Sequence, residues 1–80
     1  MVGDARYFTV DDLELAGTIC FGFHWTKPMG KALNCGDRVI RYYLAGRPLP
    51  DDMGRRVLRV IADREAEIRK LRLHLFPEST

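Results

Sequence analysis

Arg38, Arg41 and Tyr42 sit in the segment DRVIRYYL (37–44), closed by Gly36 on one side and Gly46 on the other. Positions 38 and 41 are three apart, so a helix sets the two arginines on neighbouring turns of one side. Arginine is the side chain that can meet guanine O6 and N7 together, and its fork also matches a phosphate. Two arginines and a tyrosine on one exposed helical face are therefore suited to reading nucleic acid. A merely solvated charged face is the alternative. The charge distribution bears on the choice. Residues 31–48 carry Lys31, Arg38, Arg41 and Arg47 against Asp37, a local net of +3, while residues 1–30 carry a net of −2 and the whole chain only +2. The positive field is concentrated at this segment, which favours contact with a polyanion.

Two other sets of residues could do chemistry. Cys20, His24, Cys35 and His74 contain donors for zinc, with Cys20 and His24 at helical spacing. Structural zinc sites show close ligand pairs at both ends, and here one end is missing. Buried thiols and an ordinary histidine are the expectation, with no metal and no cofactor. A Cys–His nucleophile lacks an orienting acid and an oxyanion pocket, and a chain of 80 residues leaves little room for a cleft. No catalytic residue is expected.

The elements that must position the basic segment are legible in outline. Thr9 begins TVDD, where Asp12 completes a variant capping box, and Leu13, Ala16, Ile19 and Cys20 recur at helical steps over 10–21. Gly22 is a stop. Thr26 can cap a second helix of about 27–33, with Pro28 in its first turn and Met29, Ala32 and Leu33 on its apolar side. Gly30 is small enough to let another helix approach closely. Asn34-Cys35-Gly36 then reads as a sharp turn, because Asn tolerates the left-handed conformation and Gly accepts any. The third helix is expected over 37–45. Met29, Leu33, Cys35, Ile40 and Tyr43 face inward, leaving Asp37, Arg38, Val39, Arg41, Tyr42 and Ala45 outside. At ~100° per residue Tyr42 and Tyr43 cannot share a direction, so Tyr43 goes to the core.

Arg47-Pro48-Leu49-Pro50 breaks the helix. A last helix of about 51–75 follows, with Asp51 and Asp52 at its start and an apolar stripe of Met53, Val57, Val60, Ile61, Ile68, Leu71 and Leu75 that Arg64 interrupts. Asp51–Arg55, Asp52–Arg56, Arg59–Asp63 and Glu65–Arg69 have i,i+4 spacing for ion pairs. At ~1.5 Å per residue this helix is roughly 35–40 Å long, further than a three-helix core extends. The excess stripe, with Leu73 and Phe76 near its end, predicts a homodimer through Val57, Ile61, Ile68, Leu71 and Leu75. Residues 1–8 read as either a short strand or an ordered arm. MVGDARYF lacks the basic-then-apolar pattern of a secretory signal and no stretch is long enough to cross a membrane, so a cytoplasmic chain with reduced thiols is expected. The expected architecture is a single all-α domain over 1–80: a helix-turn-helix at about 26–46 plus the long C-terminal helix.

The segment WTKPMGKALNCGDRVIRYYLAGRPLP resembles the helix-turn-helix of Cro/CI-type phage and plasmid repressors, and DRVIRYYL is similar to the recognition helix of anti-CRISPR-associated regulators. The resemblance implies base contacts from Asp37, Arg38, Arg41 and Tyr42. It implies phosphate contacts from Thr26, Lys27, the Gly36 backbone and Arg47. The chain departs from the family pattern at Asn34, Gly30 and Gly36, which stand for its usual turn glycine, small alanine and hydroxyl cap, and Lys27 stands near the place of a frequent glutamine. The implied function is a dimeric repressor of an inverted-repeat operator, autoregulating a phage or mobile-element operon, with double-stranded DNA as partner. A small helical protein-interaction module, or the antitoxin of a toxin–antitoxin pair, is the alternative.

Overall fold

The computed structural model of the chain describes residues 8–79. It is all-helical, and no strand occurs among the described residues. The strand or arm expected over residues 1–8 lies, apart from the half-buried Phe8, outside them. The helices are α1 (Val10–Phe21), α2 (Thr26–Ala32), α3 (Asp37–Leu44) and α4 (Met53–Leu75), followed by a 3-10 turn, Pro77–Ser79.

Helix α1 starts as its sequence dictates. The Thr9 hydroxyl accepts from the Asp12 amide at 3.2 Å, and the Asp12 carboxylate accepts from the Thr9 amide at 3.0 Å. Its buried face is Leu13 and Gly17, whereas Ile19 is 77% exposed, contrary to the expected Leu13–Ala16–Ile19–Cys20 face. Apolar periodicity missed this because the residue that matters is a glycine. The Trp25 ring lies on Gly17, where an added Cβ would be 2.0 Å from the indole. The bulk of Trp25 thus sets the side of α1 that turns inward.

Trp25 also moves the start of α2. Its backbone is already α-helical and its carbonyl accepts from the Met29 amide at 2.9 Å. Thr26 is consequently the first residue inside α2, not its cap, and no side chain caps this end. Below it, Leu13, Trp25, Met29, Leu33, Ile40, Tyr43, Met53, Val57 and Val60 form one core to which all four helices contribute. Cys35, expected inside, is half-buried at the edge of this core.

Helix α4 begins two residues later than expected, at Met53. Asp51 and Asp52 lie in the preceding turn, and although the Arg56 amide donates to the Asp52 carbonyl at 3.0 Å, neither carboxylate pairs with Arg55 or Arg56. None of the four i,i+4 ion pairs foreseen on this helix forms among the described residues. Arg56 and Arg64 have other partners. Arg56 donates to the Leu33 carbonyl at 2.6 Å, and Arg64 donates to the Cys20 carbonyl at 3.1 Å while its guanidinium stands 5.2 Å from the Phe21 ring centre. Each arginine supplies a cation and a donor to the C-terminal carbonyls of another helix, where the helix dipole is negative. Arg64 therefore does not interrupt the stripe; it fastens α1 to α4. A hydrogen bond from a charged donor contributes about 2 kcal/mol where it is partly buried.

Replacing Arg56 by Ala should lower stability by roughly 1–2 kcal/mol, seen as a lower thermal midpoint by circular dichroism. Gly17→Ala should cost about 1–3 kcal/mol, because the indole must move.

Candidate nucleic-acid interface

The turn between α2 and α3 is built almost entirely from backbone. Asn34 adopts φ 59°, and two hydrogen bonds close behind it: Asn34 N–H to Lys31 O at 3.1 Å and Cys35 N–H to Gly30 O at 2.9 Å. This is the Schellman pattern that ends a helix on a left-handed residue. The Gly36 amide also donates to Gly30 O, at 3.0 Å. A Cβ on Gly30 would stand 2.4 Å from the Gly36 carbonyl carbon and 2.8 Å from the Asp37 amide nitrogen. Only glycine at position 30 lets the first residues of α3 lie directly on α2. Gly36 then takes φ 87°, which launches α3 away from the turn.

The far end of α3 uses the same device. Gly46 has φ 115°, its amide donates to Tyr43 O at 3.1 Å, and the Arg47 amide donates to Tyr42 O at 3.0 Å. The chain folds back so that the Arg47 guanidinium stands 5.2 Å from the Tyr42 ring centre, a cation–π contact. Two left-handed turns thus fix both the position and the length of α3.

Between them, Ile40 and Tyr43 are buried and Val39 packs against the core, which sets the rotation of the helix. Arg38 and Arg41 are exposed, and Tyr42 is 46% exposed. Tyr43 faces in and Tyr42 out, as the spacing predicts. Lys27 and Lys31 of α2 are exposed on successive turns, with Arg47 exposed beyond α3.

Two of the residues implied to bind have partners within the chain. Asp37 is half-buried, its Oδ2 accepts from Arg41 Nε at 3.1 Å, and its Oδ1 is buried without a hydrogen-bond partner. A carboxylate placed so restrains the Arg41 side chain through its Nε. The Gly36 amide, implied to hold phosphate, is already bonded to Gly30 O. At the α3 N-terminus that follows, no side chain caps the helix, so the first amides of α3 have no side-chain acceptor. Thr26, half-buried within the first turn of α2, is in place to contact only what lies against that end.

Of the residues implied to bind, the structure brings Asp37 to Arg41 and Tyr42 to Arg47, and Arg38 forms no ion pair among the described residues. The spacing of Lys27 and Lys31 is readable in the sequence, yet Lys31 carries no role in the resemblance. In α4, Val57 is buried in the chain's own core and so is not free for a partner, Ile61 is half-buried against that core, and Ile68, Leu71 and Leu75 are exposed. No group of three or more His, Cys, Asp or Glu side chains stands close enough to hold a metal among the described residues, and none of their helices is long and apolar enough to cross a membrane. No family model, curated protein or solved structure matches the chain.

The Cys35 thiol sits beside the turn. Burial pushes its pKa above the ordinary 9.0, and the nearby Arg56 guanidinium pulls less strongly the other way. The fold favours the protonated thiol, so its stabilising contribution is present below the ordinary thiol pKa and declines as pH rises through and beyond it. Alkylation of Cys35 in a Cys20→Ser chain should be slower at pH 8 than that of an unstructured peptide thiol, and should accelerate at higher pH than the peptide does. Asn34→Val should destabilise by about 1–2 kcal/mol, since a β-branched residue resists the left-handed conformation, while Asn34→Gly should keep the melting temperature close to that of the parent chain.

Proposed function

We infer that the chain is a sequence-specific DNA-binding repressor whose α3 enters the major groove. One observation carries the reading. Helix α3 is locked on its inner side by Ile40 and Tyr43 and at both ends by left-handed turns, while its outer side offers Arg38, Arg41 and Tyr42 with Arg47 stacked beside them. A rigid helix with a free cationic face and an uncapped N-terminus is what groove reading requires. Base contacts fall to Arg38, Arg41 and Tyr42, with Asp37 as the residue that positions Arg41. Phosphate contacts fall to Lys27, Thr26, Arg47 and the amides that follow Gly36.

In this reading the chain acts as a cytoplasmic homodimer on an inverted repeat, covering promoter DNA of its own operon, in the manner of the anti-CRISPR-associated regulators that DRVIRYYL resembles. It does no catalysis. The exposed apolar residues Ile68, Leu71 and Leu75 favour one other reading, a helical module that binds a different protein, of which an antitoxin is a special case.

A mobility-shift titration on the DNA upstream of the chain's own gene separates them. Under the repressor reading, binding weakens steeply with salt, and Arg38→Ala or Arg41→Ala lowers affinity on the order of 10- to 100-fold with an unchanged circular dichroism spectrum. Arg47→Ala, a phosphate contact, should flatten the log–log salt slope by about 0.9 while weakening all sequences alike. Equal affinity of the Arg38 and Arg41 variants would remove α3 from the interface.

A further inference from the structure

The outer stripe of α4 changes character along its length. Met53, Val57 and Val60 are covered by the chain's own α1–α3, Ile61 packs against that core, and Arg64 is held half-buried over Phe21. The same angular line then carries Ile68, Leu71 and Leu75, which are 54%, 55% and 54% exposed. At ~100° per residue these three prolong the line through Val57 and Ile61 rather than starting a new face. A helix that leaves its own domain with an apolar line still facing the domain side lacks a cover for its second half. The Cα radius of gyration, 14.1 Å against about 12 Å expected for a compact chain of this length, reflects this overhang.

Resting on the dimeric reading above, we propose that the cover is a second copy of this chain, with the 64–75 segments of the two α4 helices packed antiparallel about a two-fold axis near residues 69–70. Sterics exclude the parallel pair. In each copy the stripe before residue 64 is roofed by α1–α3 on the very side that faces the partner. Parallel helices would bring both roofs to one level and hold the helices apart. Antiparallel helices put the roofs at opposite ends and let only the bare segments overlap.

Charge argues the same way. After Arg64, whose charge Glu67 and the Cys20 carbonyl engage, the segment carries Glu65 and Glu67 toward its start and Arg69, Lys70 and Arg72 toward its end. Antiparallel pairing brings Glu65 to within two residues, ~3 Å, of the level of Arg72 of the second copy, beside the apolar seam; a parallel pair sets every charge level with its own twin. The seam itself closes in layers, Ile68 against Leu71 and Leu75 against the stem of Arg64. The Arg64 head is already engaged by Cys20 O and by Glu67 at 3.1 Å, so its methylenes present an apolar surface. At ~1.5 Å per residue, the levels of Val57 in the two copies lie roughly 38 Å apart along the helix axis, close to one turn of duplex.

The test places p-benzoylphenylalanine at Leu75 in the full chain, irradiates a mixture of isotopically light and heavy protein, and maps cross-links between copies by mass spectrometry. The proposal expects attachment within residues 61–68 of the other copy. Attachment within 71–76 would mean a parallel pair and overturn it. A second variant, Ile68→Asp, touches none of the core and should keep its helical spectrum while its dimer dissociation constant, by sedimentation, rises on the order of 100-fold. A parent chain that sediments as a monomer at micromolar concentration, or an Ile68→Asp chain as dimeric as the parent, would likewise overturn it. Neither result depends on α3. The DNA reading is judged separately, by the affinity of the Ile68→Asp monomer for a single half-site at low salt, which Arg38→Ala should abolish if that reading holds.

Discussion

Backbone against backbone at Gly30 is the contact on which the arrangement of this small domain depends. The Gly30 carbonyl accepts from both Cys35 and Gly36, and its missing Cβ leaves the space into which the start of α3 fits. Because α2 has only two turns and α3 little more, neither could hold its angle through side chains alone. A direct main-chain contact fixes that angle with almost no freedom. Ile40 and Tyr43 then lock the rotation of α3 about its own axis. The orientation of Arg38 and Arg41 toward water follows from those two restraints and needs no further interaction.

Helix α4 is the second organising element, and it works through arginines as much as through its apolar stripe. Arg56 reaches the end of α2 just before the turn, and Arg64 reaches the end of α1. Both satisfy carbonyls that a helix cannot satisfy within itself, and both bring positive charge to the negative end of a dipole. One long helix thereby closes two short ones. The same helix carries an apolar line past the edge of the core it covers. In a chain of 80 residues, whose core is small relative to its surface, such a line is a natural place for a second copy to add buried area.

In the proposed dimer the two halves of α4 divide the labour between folding and assembly. Its first half completes the core beneath α3; its second half would set the distance between two copies of α3. Under that proposal a rigid rod joins the two functions, and the separation of the two α3 helices would be governed by helix rise and by the register of the seam rather than by a flexible linker.

Much of the fold follows from the sequence alone. The capping box at Thr9, the left-handed turn at Asn34, the stop at Gly46 and the inward Tyr43 all rest on local rules of dihedral preference and helical period, which neighbouring residues decide among themselves. Tertiary structure decided the rest, because it turned on partners distant in the chain. Trp25 settled against Gly17 and so displaced Ile19 to the surface and moved the start of α2 to Thr26, which a count of apolar residues cannot anticipate. Arg56 lies 23 residues from Leu33, and Arg64 lies 44 from Cys20. Helical spacing offered Arg56 a nearer acidic neighbour in Asp52, whereas Arg64 bonds both Glu67 and the Cys20 carbonyl; in each case a carbonyl at a helix end gains a donor that its own helix cannot supply. The ion pair of Asp37 with Arg41 sits at i,i+4 and was within reach of the sequence; that one Asp37 oxygen is buried, making it a restraint on Arg41, depends on how closely α3 is pressed onto α2.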